Sequence, residues 1–269
     1  MTLPSSATNH PNFAEIYEQA LVPHLFRPWA EVLLDQVQLS AGDRVLDIAC
    51  GTGIGARLAK ERLGSGGQVV GVDQSQPMLA VARAVAPSID WREGNAGALP
   101  VDDRTKFDVV LCHQGLQFFP DRPAAVREMR RVLASGGRMA IATWRPVEES
   151  PMVRELGGVA ERHLGPIVDQ RHAFGDGNAI AVLLTDAGLN DISVRTMTRL
   201  LRLPDATLFV RLNAMALVGM SSAGKTMDEE KKAQVVSAIV ADSGDVIARY
   251  ADGEGLAFHL GSNVATARG

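Results

Sequence analysis

The sequence predicts an α/β fold, a doubly wound and mostly parallel sheet with helices on both faces. Three observations carry that expectation. Short apolar runs at 45–49, 68–73, 107–113 and 138–144 read as buried strands. Stretches of helical periodicity separate them, the pattern of β-α-β units. The first run also enters a glycine turn, Cys50-Gly51-Thr52-Gly53, and the second ends in an acid, Asp73.

Taken in order, residues 13–37 read as one or two amphipathic helices, with Phe13, Ile16, Tyr17, Ala20, Leu21 and Leu25 followed by Trp29, Val32 and Leu33. The strand at 45–49 then passes through its glycines into a helix beginning near Ile54. Glycines let the chain turn sharply and let a ligand approach the peptide groups, while a helix start presents unpaired N–H donors. Asp47 places a carboxylate inside the strand, four residues before the first glycine. That suits a ligand with an ammonium to anchor better than a pyrophosphate. The second strand ends in Asp73, twenty residues beyond Gly53, where an acid in a doubly wound sheet can bond both ribose hydroxyls. Pro77 fits the first turn of a helix reaching Val85. The fourth strand ends at His113, a helix is expected over 122–134, and Ala134-Ser-Gly-Gly137 turns the chain into the strand at 138–144.

The DxxxGxG pattern of Asp47, Gly51 and Gly53, with its Cys-Gly-Thr-Gly core, resembles the first motif of the class I S-adenosylmethionine-dependent methyltransferases. The likeness is strongest to the small-molecule group that includes the ubiquinone and menaquinone biosynthesis methyltransferases, and it covers residues 13–145. It implies a seven-stranded, mostly parallel Rossmann-like methyltransferase sheet with N-terminal helices and a helical lid insertion. It also implies S-adenosyl-L-methionine as cofactor, held by Asp47, Ala49, Gly51 and Gly53, by Asp73 at the ribose, and by Gln74 and Met78 at the ribose and adenine. Relatives carry Gly-Asp-Ala where this chain has Gly94-Asn95-Ala96. The Asn95 oxygen can still accept from the adenine amine, without a charge, and the Ala96 N–H offers a second contact. Tyr17 is placed against the methionine end. The glycines also satisfy a relaxed dinucleotide pattern, Gly51-x-Gly53-x-x-Ala56, so an NAD-dependent oxidoreductase is one alternative. A cofactor-binding protein without transferase activity is the other.

Composition agrees with a small-molecule enzyme. The 269 residues are 46% hydrophobic and only 5% aromatic, with a formal net charge of −4. A chain without a basic stripe is expected to bind no nucleic acid. No stretch reaches the length of a membrane span, the first ten residues lack a signal-peptide pattern, and two cysteines make no disulfide framework. A cytoplasmic location is therefore expected; oligomeric state is left open. Cys50 and Cys112 read as small buried residues, and no metal cluster is expected.

The chain divides into an N-terminal helical cap (1–40), a cofactor-binding core (41–145), lid helices with the sixth strand (146–225), and a C-terminal helix and closing strand (226–269). Helices are expected near 151–163, 178–187, 205–218 and 228–250, with strands at 191–203 and 255–268. Phe209, Leu212, Met215 and Ala216 share one face of the third of these helices. Residues 219–226 match the phosphate-loop pattern G-x-x-x-x-G-K-T in full. What precedes them reads as helix rather than strand, so a Ser/Gly loop between helices is expected there instead.

The chemistry expected is methyl transfer from S-adenosylmethionine to a small apolar or phenolic acceptor, on oxygen or carbon. His113 is the candidate base, since its ordinary pKa near 6.5 suits proton removal at neutral pH; it is also counted among the cofactor-binding residues, and the competing reading is that it only lines the cofactor or hydrogen-bonds backbone. Gln114 and Gln117 are expected to face the pocket and orient the substrate.

Overall fold

The computed structural model describes residues 13–269; the stretch read above for a signal peptide lies outside them. Eight strands form one sheet: β1 (Arg44–Ile48), β2 (Gln68–Asp73), β3 (Asp90–Glu93), β4 (Phe107–His113), β5 (Leu133–Trp144), β6 (Asn190–Leu203), β7 (Ala251–Asp252) and β8 (Gly255–Arg268). The main path runs β3-β2-β1-β4-β5-β8-β6, with the two-residue β7 paired to β8. The first five are parallel, and β8 runs antiparallel to both β5 and β6. Winding reverses between β1 and β4, and that reversal opens a crevice beyond their carboxyl ends.

The N-terminal segment comprises α1 (Phe13–Ile16), a π-helical stretch (Tyr17–Phe26) and α2 (Arg27–Val37). Pro23 inside the π-helical stretch has no N–H to give to a regular ladder. Trp29, Leu33 and Leu34 of α2 are fully buried against the sheet. The sheet helices are α3 (Ile54–Leu63), α4 (Gln76–Val85) and α5 (Arg122–Val132). Ser75 and Asp121 cap the last two by accepting from Met78 N–H and Ala124 N–H, as short polar side chains do at helix starts.

The rest comprises α6 (Pro151–Leu164), α7 (Gly177–Asp186), α8 (Ala206–Met220), α9 (Ser222–Thr226), α10 (Glu229–Ala241) and α11 (Gly244–Arg249). One large hydrophobic cluster joins the N-terminal helices, α3, α6, α8 and α10 on one side of the sheet. A smaller one packs α5 and α7 on the other.

Three local expectations differ from the structure. The turn expected at 134–137 is a bulge within β5, where pairing with β4 skips from Phe107–Leu133 to Val109–Arg138. The single helix expected over 228–250 is broken at Asp242 and Ser243; Ser243 is fully buried and its hydroxyl donates to the Ile239 carbonyl. The segment matching the phosphate-loop pattern is the end of α8 followed by the short α9, not an open loop. There the Ser221 hydroxyl accepts from Gly224 N–H at 2.9 Å. A Cβ on Gly224 would lie 1.9 Å from the Val218 carbonyl oxygen. That glycine is required by close packing between two helical turns, with no strand before it to aim a phosphate site.

Candidate functional site

A cavity of about 560 Å³ opens at the carboxyl ends of β1 and β4. Its walls change character from one end to the other.

The polar end is built by the loops that leave β1, β2, β3 and β4. Ala49 and Gln114, which follow β1 and β4, both hold left-handed backbone, with φ of 54° and 57°. That conformation costs a non-glycine residue about 1–2 kcal/mol, and both residues line the cavity. The two turns touch, since a Cβ on Gly115 would lie 2.6 Å from the Ala49 Cβ. Gly51 also lines the cavity, and a Cβ there would meet no protein atom within 4 Å. Gly53 faces the other way. At φ 91° it packs on Trp91, whose ring would be 2.3 Å from an added Cβ.

Two carboxylates organise this end. Asp73 accepts from Gly51 N–H and from Ser75 N–H, both at 2.8 Å, which locks the glycine turn to the end of β2. Burial raises its pKa, and the N–H donors of Ser75, Gly51 and Gln74 oppose the shift. Asp47 is 1% exposed. Its Oδ2 accepts from Ala56 N–H at 2.8 Å, anchoring the first turn of α3, while Oδ1 is buried with no partner. Burial pushes its pKa up to about 7, opposed by the Ala56 N–H and aided by the Asp73 charge. A buried carboxyl oxygen without a partner, in a cavity wall, fits a cationic group of a ligand. Thr52, also in the wall, has a buried hydroxyl with no partner; the sequence reading did not single it out.

Gln74, Met78, Asn95 and Ala96 complete this wall. The Asn95 side-chain oxygen already accepts from Gly97 N–H at 2.8 Å, so one lone pair is engaged in its own turn and one is left for a ligand. Tyr17 closes the cavity from the N-terminal side, its ring 4.8 Å from that of Phe26. Burial, and then Glu18 and Asp73, raise its hydroxyl pKa far above the ordinary value. An ion pair between Glu18 and Arg57, 2.7 Å long and half-buried, fastens this segment to α3.

His113 lies between the two ends. Its ring meets Phe26 edge-on at 6.2 Å, and its Nε2 is buried with no partner. Burial lowers its pKa to about 4, which corrects the sequence argument from an ordinary imidazole. At neutral pH the ring is uncharged and serves better as a hydrogen-bonding group than as a store for a proton. Gln114 lines the cavity and donates from Nε2 to the Ser262 hydroxyl at 3.1 Å. Gln117 does not reach the cavity wall. It is buried beside Gln114, with its Nε2 directed to the Gln114 Oε1 at 3.3 Å, so it positions that side chain. Its backbone carbonyl is in turn held by Arg122.

The second end is apolar. Leu21 and Leu25 of the N-terminal segment, Val153 of α6, Phe209, Leu212, Ala216 and Met220 of α8, and Phe258 and Leu260 of β8 make its walls. Arg171 reaches it as a cation, but its guanidinium is already bound by Asp169 at 2.8 and 2.6 Å. Cys50 and Cys112 are buried free thiols, and burial raises Cys112 to about 12. Among the described residues no group of His, Cys, Asp and Glu is placed to hold a metal, and no helix is long and apolar enough to cross a membrane.

A switch-point crevice with a glycine turn and two strand-end carboxylates, continuous with an apolar chamber, is the arrangement of a nucleoside-cofactor protein. Comparison with known proteins narrows that class. Residues 46–141 match the family described as methyltransferase domain. The chain is 41% identical over 139 residues to a 2-phytyl-1,4-naphtoquinone methyltransferase of Synechococcus elongatus, a match spanning 49% of this chain and 58% of that relative. It is 30% identical over 193 residues to a demethylmenaquinone methyltransferase of Shouchella clausii, spanning 64% of this chain and 81% of the relative. A Haemonchus contortus phosphoethanolamine N-methyltransferase, solved with S-adenosylhomocysteine, shares the fold. Its TM-score is 0.53 at 20% identity, over 90% of this chain and 52% of that one. The chain belongs to the class I S-adenosylmethionine-dependent methyltransferases, and S-adenosylmethionine is its cofactor.

Proposed function

We propose that this protein transfers a methyl group from S-adenosylmethionine to a small apolar or phenolic acceptor, at oxygen or carbon. The observation that carries the reading is the continuity of one cavity whose polar end carries the Asp47 and Asp73 carboxylates beside the glycine turn and whose other end is walled by Leu, Met, Val and Phe. The named substrates of the two quinone-methylating relatives are of the same apolar kind.

Each residue then has a task. Asp73, with lone pairs left after its two backbone bonds, takes the ribose hydroxyls, flanked by Gln74 and Met78. Asp47 supplies its unpartnered oxygen to the ligand's ammonium. Ala49, Gly51 and Gly53 shape the turn that lets peptide groups approach. Asn95 and the Ala96 N–H border the adenine, and Tyr17 covers the methionine end. When bound, the cofactor supplies an electrophilic methyl on a sulfonium, open to in-line displacement.

The protein's part is alignment and exclusion of water. Phe26, Trp144 and the α8 side chains keep the acceptor's apolar body dry. His113 offers its free ring nitrogen as a hydrogen-bond partner to the acceptor's reacting group. With its pKa near 4, that interaction orients the nucleophile, and an acceptor proton leaves at greater expense than to an ordinary imidazole.

The test is calorimetric titration with S-adenosylhomocysteine, NADH and ATP in parallel, followed by an assay of methyl transfer from labelled S-adenosylmethionine to a panel of naphthols, phenols and quinols. Binding of the first ligand alone, with label appearing in an apolar acceptor, is expected. Binding without transfer to any acceptor would turn the reading to a cofactor-dependent binding protein.

A further inference from the structure

The apolar chamber contains one side chain that does not belong to it by composition. Asn213 sits in α8 between Leu212 and Ala214, is 6% exposed, and lines the cavity. Phe209, Ala216 and Met220, placed at helical intervals around it, line the same cavity and are apolar. Outside the polar end, and apart from His113 at the boundary, the other polar side chains of the cavity wall have partners. His172 holds the Arg145 carbonyl at 2.7 Å, Arg171 holds Asp169, and Gln114 holds Ser262. The Asn213 amide has no hydrogen bond to any described residue. The amide opens onto the cavity rather than being sealed in protein, and Asn is a poorer helix former than Leu at such a position. Nothing in the fold requires it.

We propose that Asn213 is the polar anchor of the acceptor: its amide hydrogen-bonds an uncharged oxygen of the ligand and so fixes how the apolar body is turned toward the methyl group. This inference rests on the reading of the chamber as the acceptor site. The amide both donates and accepts, so it reads a hydroxyl or a carbonyl equally well. It carries no charge to match a carboxylate or phosphate, and Arg171, the one Arg or Lys lining the cavity among the described residues, is paired with Asp169. Specificity for an oxygen-bearing acceptor over a hydrocarbon of equal shape thus resides in α8, outside the glycine turn and its motif residues.

The experiment compares wild type with Asn213→Leu, each saturated with S-adenosylhomocysteine, titrated with 1-naphthol and with its near-isostere 1-methylnaphthalene. The affinity ratio of naphthol to methylnaphthalene is expected to fall about tenfold in the variant, the weight of one neutral hydrogen bond. Affinity for S-adenosylhomocysteine is expected to stay the same, and the melting temperature without ligand to stay or rise. An unchanged ratio overturns the proposal. So does a lower melting temperature, which would mark a structural asparagine. Naphthol failing to bind the loaded wild type also overturns it, while the cofactor assignment stands. If the wild type instead fails to bind S-adenosylhomocysteine, the parent reading of the site falls and takes this inference with it.

Discussion

The two ends of the cavity are built by different means. At the cofactor end, wall residues sit within a few positions of a strand's carboxyl end, and backbone hydrogen bonds fix them: Gly51 to Asp73, Ser75 to Asp73, Ala56 to Asp47, Gly97 to Asn95. At the acceptor end the wall is side-chain surface on α6, α8, β8 and the N-terminal segment, with no comparable lattice of backbone bonds. The difference teaches which part of such an enzyme can change. A substitution in the first set disturbs the bonds that hold the strand-end turns and the start of α3, whereas one in the second alters only shape and polarity of a chamber.

The largest effect is expected where the polar end is packed most tightly. Gly53→Ala forces a left-handed alanine and places its Cβ against Trp91, whose indole N–H is tied to the Ala86 carbonyl at 2.9 Å. Conformational cost and overpacking together predict a loss of about 3 kcal/mol in urea unfolding. Gly219→Ala is the contrast. It changes the first glycine of the phosphate-loop pattern, at a helical position where nothing lies within 4 Å of a Cβ. It is expected to stabilise by about 0.5–1 kcal/mol and to leave ligand binding alone. Equal losses at both glycines would mean that position 219 is packed as tightly as position 53.

Next in size is the division of labour between the ends. Asp73→Ala removes the two acceptor oxygens that hold Gly51 and Ser75 and are assigned to the ribose. A drop of about a hundredfold in affinity for S-adenosylhomocysteine is expected by calorimetry, in line with hydrogen bonds to a charged group. Phe209→Ala, which opens the chamber where Phe209 meets Phe258 at 5.5 Å, is expected to leave that affinity unchanged and to raise the KM of whichever acceptor is methylated. A Phe209→Ala variant that binds the cofactor product as poorly as Asp73→Ala would erase the distinction between ends.

The same distinction decides what could be read from the sequence. Asp47, Gly51, Gly53 and Asp73 are legible because strand, turn and acid follow one another at spacings set by the β-α-β unit. The alternation of strand and helix from β1 to β5 is legible for the same reason. The acceptor end is not, because Phe209, Leu212 and Ala216 show the helical periodicity of any core-facing helix. Only topology reveals that part of this face meets empty space. Asn213 left a trace, a polar residue on an otherwise apolar stripe, and Asp242-Ser-Gly244 was a readable breaker within the long C-terminal helix. Gln117 misleads for a different reason. Three residues after Gln114 in a tight 3₁₀ turn, it packs behind its neighbour rather than beside it in the wall. His113 was found, but its burial, and with it the fall of its pKa to about 4, depends on Phe26 and other groups remote in the chain.

The smallest effect, and the most specific, is in pH. Asp47 titrates near 7 in the free protein because burial outweighs the Ala56 N–H. An ammonium beside it in the complex lowers that pKa, so binding between pH 5 and 7 releases a proton. Affinity for S-adenosylhomocysteine is then expected to fall by about tenfold for each pH unit below 7, until the carboxyl of the complex itself takes up a proton. In Asp47→Asn the decline should vanish and the affinity sit low throughout. Calorimetry in buffers of different ionisation enthalpy counts the proton directly. Stability without ligand carries the opposite sign. A folded-state pKa raised from 3.8 to about 7 means the native state holds a proton that the unfolded chain gives up, so this contribution is full below pH 4 and lost as pH rises to 7. His113, lowered from 6.5 to about 4, contributes stability that is present above pH 6.5 and lost as pH falls toward 4. The two oppose each other over that interval, and the raised Asp73 and the lowered His172 titrate alongside them. Removing Asp47's titration leaves those groups in place, so Asp47→Asn is expected to gain stability relative to the wild type as pH rises from 4 to 7. Parallel profiles in the two proteins would show that Asp47 is not the raised, desolvated carboxyl at the polar end of the cavity.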